Sequence, residues 1–566
     1  MWSAVLWIVP AWAGAQPATV STVGRGAPAP RPDPAELERS GAVIGSIRLE
    51  IIDVFDTSNP KENKVPFRFV NSLHVKSREA TIRRRLLFAV GEAFAQARLE
   101  ETERSLRALP FLQDASVVAE SCENGRVGVL VRTRDSWTTR LGVRFGYTGG
   151  KSQTGLALTE INFLGRGKTL GIDFKNTIDR TTTRLLYEDV NLLGTNLHLA
   201  TSYQNATDGQ GGWLRFEDPF YSLDDRKSWG IDTRKTTGRM SWYQEGDIFQ
   251  RFDQSVSQVA VWYGLSSGLK GGTVNRWLFG YEYQKETFEP TYALAPGYPE
   301  EGIPKSATDS GPTVEYDLIR SDYIKVKYFQ RFSRYEDFNL GTTLGLWMQL
   351  APRAFGSARD EVIGKGIATR GFRTGPSGTL LASAGLQTRL GERDETSLSV
   401  AGTHYFTAWP HQTFVVKLAG DTGFSLDAND RFLLGGDNGL RGFTARRFDG
   451  DHRIYLSVED RYHTDLLLFQ LLQPGFAVFM DAGNAWGGPR AAEVCVTDAG
   501  GARSCRVESE YNAFGNLKVD VGVSVLLDVI RSAHSSFVRL SVAWPLNGGK
   551  YDQATVLFSF GKESGF

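Results

Sequence analysis

Methionine and cysteine are scarce in this chain of 566 residues, at 4 and 3, and no late segment approaches the about 18 apolar residues a spanning helix needs. "LLLFQLL", residues 466–472, is far too short. Any membrane crossing would therefore be made by strands. Net charge is missing as well. Lys plus Arg and Asp plus Glu are each 64, which gives no support for nucleic acid or an acidic surface as partner. The seven histidines sit singly, and Asp451-His452 reads as a solvated loop pair. No Cys/His spacing makes a zinc site, and "GRGKT" at 165–169 has Asn162 where a phosphate loop needs its first glycine, so a tight hairpin explains it better. The sequence points to no enzyme, metal or cofactor.

What is present is turn-rich and strand-like: 61 glycines and 12% aromatic residues, with helical periodicity confined to one short region. The opening "MWSAVLWIVPAWAGAQP" has an apolar core followed by Ala13-Gly14-Ala15, the small-residue pattern of a cleaved signal peptide over residues 1–15, although Met1 to Val9 carries no Lys or Arg. Residues 16–43, rich in Pro, Gly and Ala, read as a linker. In an exported protein Cys495 and Cys505, which bracket "VTDAGGARS", can form a local disulfide; two free thiols in a loop is the other reading, and Cys122 stands alone.

A small α+β domain follows over 44–135. "SIRLEII" is a strand, residues 77–110 give two helices broken near Gly91, and Leu99, Thr102, Leu106 and Leu109 share one helical face. Two more strands meet at Asn124-Gly125, a strong hairpin signal.

From 136 to 566 the period is two. In "LKVDVGVSV" Leu517, Val519, Val521, Val523 and Val525 share one face, and Lys518, Asp520 and Ser524 the other; "FVRLSVAW" and "ATVLFSF" divide in the same way. Apolar outside and polar inside is the pattern of a transmembrane antiparallel β-barrel; a soluble sandwich also alternates, but with segments more varied in length. About 19 strand candidates occur, an odd count where single-chain bacterial barrels have an even one, so 18–20 strands fit.

The stretch "LLGGDNGLRGF" stands in a loop at 424–453 long enough to fold back into the lumen. Gly435, Gly436, Gly439 and Gly442 allow tight or positive-φ backbone, and Arg441 at the tip would need a buried carboxylate. Asp481 is the first candidate. It alternates with Phe479 and Gly483, while Glu459, alternating with Ser457 and Arg461, is the second.

"GGDNGLRGF", "YLSVED" and "GFAVFMDAGNAW" together resemble the signature of the BamA/TamA superfamily of outer-membrane assembly and translocation barrels. "INFLGRGKTLGIDF", "EDVNLLGTNL" and "FEDPF" resemble other strands of such barrels, and 44–135 resembles one polypeptide-transport-associated (POTRA) domain. The resemblance implies 16 strands, a loop motif at Arg441, Gly442 and Phe443, and a strand motif at Phe479, Asp481 and Gly483. It also implies a bacterial outer-membrane protein, POTRA domain in the periplasm, that inserts or translocates polypeptide without nucleotide. Strand pairing at the POTRA sheet and at the seam of "RLGVRFGYT" with "ATVLFSFGK" would supply the means. Its partners would be the lipid bilayer, an unfolded or partly folded polypeptide and accessory periplasmic or lipoprotein subunits. Family insertases carry several POTRA domains and two-partner secretion transporters two, so a single one argues against a long substrate-handling arm. The alternative is a passive pore or structural barrel with no protein client.

Overall fold

The computed structural model describes residues 31–148, 151–177, 179–244, 247–290, 306–331, 334–392, 394–426, 430–487, 493–497, 503–507, 516–531, 537–547 and 555–560. The expected signal peptide and most of the expected linker lie outside these.

The N-terminal unit runs α1 (Pro34–Arg39), β1 (Val43–Ile52), α2 (Val65–Leu73), α3 (Glu79–Arg83), α4 (Gln96–Ala108), β2 (Leu112–Glu123) and β3 (Arg126–Asp135). Strand β3 is central, parallel to β1 and antiparallel to β2. The chain turns from β2 to β3 through Asn124 and Gly125, both in the left-handed region at φ 49° and 73°. Leu99, Thr102 and Leu106 of α4 are buried on one face and pack on Ile44, Ile82, Phe111, Val127, Val129 and Val131. The expected linker is shorter than 16–43. Asp33 caps α1, accepting from Ala35 N at 3.2 Å, and Leu37 and Ala42 enter the core, so the unit begins near residue 33. A single apolar residue in so short a helix leaves no period to read.

Among the described residues, twenty strands close into one antiparallel barrel in which the last, Thr555–Phe560, lies beside the first, Thr139–Thr148. This corrects the 16 strands that the resemblance implied. Strand number follows how many alternating segments find neighbours, and the count of 18–20 segments includes it. The alternation sorts by side: Val478, Val523 and Leu540 face outward, Asp481, Ser524 and Ser541 inward. No described helix is long and apolar enough to cross a membrane.

The N-terminal unit docks against one mouth of the barrel. Arg78 N and Thr81 Oγ1 both donate to Gly165 O at 2.9 Å, Tyr221 OH donates to Arg85 O at 3.1 Å, Leu223 N donates to Glu101 at 2.8 Å, and Arg531 pairs with Glu62 at 2.7 Å. Gly165 has φ +71°, and a Cβ there would strike Lys76 O. The glycines of "GRGKT" thus serve a turn pressed against α3.

A second feature of this mouth is absent from the sequence-based expectations. Between Ala307–Arg320 and Thr343–Ala351 the chain leaves the wall and forms a small hairpin, Tyr323–Val326 with Glu336–Asn339.

Candidate functional site

The glycine-rich loop enters from the opposite mouth, between strands Gln412–Phe424 and His452–His463. Its base is a ladder of Phe432–Leu434 with Phe448–Gly450. Leu434, Leu440 and Phe443 are fully buried, clustered with Tyr455 and Ala485 of the wall, so apolar packing sinks the loop into the lumen. Polar contacts hold its shape: Asn438 Nδ2 donates to Leu433 O at 2.6 Å and Arg446 N to Asp437 at 2.9 Å.

The glycines act through space. None of Gly435, Gly436, Gly439 and Gly442 has positive φ, whereas Arg446 does, at 55°. A Cβ on Gly442 would come within 2.6 Å of Asp520 Cβ, and one on Gly435 would strike Thr444 O. Close approach, not left-handed backbone, is the reason for Gly435, Gly439 and Gly442.

Arg441 reaches the wall at the face shared by Ser457, Glu459 and Asp481. Its Nε and Nη2 donate to the two oxygens of Asp481 at 2.6 and 2.9 Å, Nη1 donates to Glu459 Oε2 at 2.8 Å, and Nη2 also reaches Ser457 Oγ at 3.2 Å. Both candidate acids therefore hold it at once. The guanidinium carbon lies 3.4 Å from the centroid of the Phe479 ring, which adds a cation–π contact. Asp481 is braced in turn by Ser457 Oγ at 2.7 Å. Gly483 keeps the wall thin where Leu434 packs, since a Cβ there would lie 3.0 Å from Leu434 Cδ2.

Glu459 carries more than Arg441. Arg461 Nε donates to its Oε1 at 2.6 Å, and Arg539 donates to both its oxygens at 2.6 and 2.8 Å. Three guanidiniums thus converge on one carboxylate. Asp520 lies directly opposite Asp481 in the strand register, is wholly shielded from solvent, and makes no ion pair among the described residues. Sequence reasoning left out Arg539, Phe479 as a ring partner, and Asp520; each lay on a lumen-facing position, but which cation meets which acid is set by strand register. The strands Glu493–Thr497 and Arg503–Val507 place Cys495 opposite Cys505, and the side chains of that pair lie outside the described residues.

A part-buried arginine clamped by two acids on adjacent strands stores no chemistry by itself. Together these charge pairs tie the loop to the wall as a latch. Residues 367–563, which contain the whole cluster, match the model described as an Omp85 superfamily domain. That similarity covers the C-terminal strands of the barrel, not its first strands or the N-terminal unit. The Omp85 match takes in every strand that contributes to the latch. Among solved structures, BamA from Haemophilus ducreyi lacking POTRA domains 1–3 aligns at 13% identity and TM-score 0.40, over 91% of this chain and 84% of that one. CdiB from Acinetobacter baumannii aligns at 11% and 0.44, over 92% and 73%, and CdiB from Escherichia coli at 11% and 0.42, over 91% and 76%. Scores this low carry no functional argument. No curated protein matches the chain.

Proposed function

We propose that this Omp85 barrel sits in the bacterial outer membrane and inserts or translocates polypeptides without nucleotide. The observation that carries the reading is the Arg441 latch within the Omp85 domain: a loop sealed in the lumen by charge pairs that can be exchanged without chemistry. We read the N-terminal unit as a single POTRA domain in the periplasm. Its strand-helix-helix-strand-strand order supports this, with the small α1 and α2 added, and its sheet exposes β1 and β2 as edges for strand addition. The barrel seam supports the same means. There the last strand, Thr555–Phe560, lies beside the first, Thr139–Thr148, and parting of the two would offer backbone groups to an incoming strand.

A photo-crosslinking residue at Leu141, which is exposed on the first strand, tests the proposal in cells. Covalent adducts with nascent outer-membrane or secreted polypeptides are expected, and Arg441→Ala should change their yield while the barrel still assembles. The closed ring of strands favours a second reading, a passive pore. It predicts steady conductance, no polypeptide adducts, and a normal outer-membrane proteome when the protein is depleted.

A further inference from the structure

The hairpin, described over 321–331 and 334–342, occupies the mouth opposite to the glycine loop, and its contacts reach both the N-terminal unit and the latch. On the lumen side Phe329 stacks on Tyr405 with ring centroids 4.3 Å apart, and Phe329 and Phe338 form a buried cluster with Tyr405 and Val415. Tyr405 and Val415 belong to strands Glu395–Phe406 and Gln412–Phe424, so the hairpin passes the wall strands Glu361–Arg373 and Gly378–Gly391 to reach them. It extends across the opening. Tyr328 stacks on His463 at 5.0 Å, and the carbonyl of Phe329 accepts from Arg461 Nη1 at 3.1 Å. Arg461 is one of the three arginines on Glu459, the acid that also holds Arg441.

On its other side the hairpin is tied to α4. Arg107 Nε donates to Asp337 at 2.7 Å, and a second nitrogen pairs with the same carboxylate. Lys325 meets Glu103 at 3.2 Å, and Glu103 pairs with Arg107. The tip is internally braced, because the Glu336 carboxylate accepts from the backbone N–H groups of Phe329, Gln330 and Arg331 at 3.0 to 3.3 Å. The hairpin is thus held on one side by the N-terminal unit and on the other by the barrel wall.

We infer that the 321–342 hairpin is a second lumen insert, a strap that narrows the mouth beneath the N-terminal unit and couples α4 to the Arg441 latch through Phe329, Arg461 and Glu459. It supplies a regulator for the site on which the proposed function rests: movement of α4 pulls the strap, draws Arg461 from Glu459 and loosens the hold on Arg441.

Two readouts on the purified full chain test this without any polypeptide client. One is conductance in planar bilayers. The other is the maleimide-labelling rate of Leu440→Cys, buried in the loop, in a background with Cys122, Cys495 and Cys505 changed to Ser. Replacing Tyr323–Asn339 by a short glycine-serine turn should raise conductance several-fold and labelling at least tenfold. Asp337→Asn, which keeps the hairpin and cuts its tie to α4, should raise labelling about threefold. Unchanged conductance in a folded, heat-modifiable barrel lacking the hairpin overturns the strap. Unchanged labelling in Asp337→Asn overturns the coupling, and this variant decides the matter if the replacement does not fold. Loss of polypeptide adducts at Leu141 would remove the proposed function and leave both readouts standing.

Discussion

In the N-terminal unit Ile82, Leu99 and Leu106 lie in a core closed to solvent, whereas in the barrel Leu418, Val478 and Val523 point outward and Glu459, Asp481 and Ser541 fill the inside. The same apolar side chains serve both regions and face opposite ways. One region is surrounded by water and collapses around its apolar residues; the other presents them to lipid and must satisfy its polar groups within. Stability in the first therefore rests on packing, and in the second on matched charges. The glycine loop joins the two logics, since Leu434, Leu440 and Phe443 pack as a core while Arg441 pairs as a lumen charge.

Four measurements break or sharpen that contrast. The largest effect is expected from Glu459→Gln, which takes the shared carboxylate from Arg441, Arg461 and Arg539. Leaving buried cations short of a partner costs about 3–5 kcal/mol, and the midpoint of barrel unfolding in detergent should fall accordingly. A midpoint that stays put would show the lumen charges to be hydrated and the contrast overdrawn. Leu106→Ala in the N-terminal core should cost about 2–5 kcal/mol, read as loss of protease resistance across β1 to β3 with the barrel midpoint unmoved. If both regions fall together they are one cooperative unit. Val523→Arg, placing a cation on the lipid face, should cost about 2–4 kcal/mol in a bilayer if near its midplane, measured by refolding into vesicles; a neutral result would mean that strand does not face lipid.

The smallest effect concerns pH. Asp135 of the N-terminal unit is fully buried, with Ser77 N donating to it at 2.7 Å, and burial raises its carboxyl to about 6. Because the folded value lies above the unfolded one, its contribution is present at acid pH and is lost as pH rises through about 6. One such group changes stability by at most about 1.4 kcal/mol per pH unit. Calorimetry of the first unfolding transition should show the unit more stable at pH 5 than at pH 8 from this source, and Asp135→Asn should flatten the difference. An unchanged profile in that variant would remove Asp135 as the source of the slope.

Much of this was legible beforehand, for reasons that can be traced to particular residues. Alternation in "LKVDVGVSV" separates Val523 from Ser524 because a strand turns successive side chains to opposite faces whatever its neighbours are. Asp481 and Glu459 could be set on the lumen face in the same way. The hairpin was not legible, since Tyr323–Val326 alternates as a wall strand would, and only its pairing with Glu336–Asn339 keeps it out of the wall. The glycines left two readings open for a related reason: a missing Cβ serves positive φ and close approach equally, and the neighbour at Gly442 is Asp520, 78 positions away.

Local chain chemistry alone determined that strands would form, which face of each would be apolar, and that one arginine on a glycine-rich loop would require an acid. Tertiary structure decided that Arg441 takes two acids at once, that Glu459 gathers three arginines, and that a strap from the other mouth touches the same cluster. Face is a property of a strand and its period of two, whereas partnership depends on register between strands and on loops crossing a closed barrel, distances that no local pattern encodes.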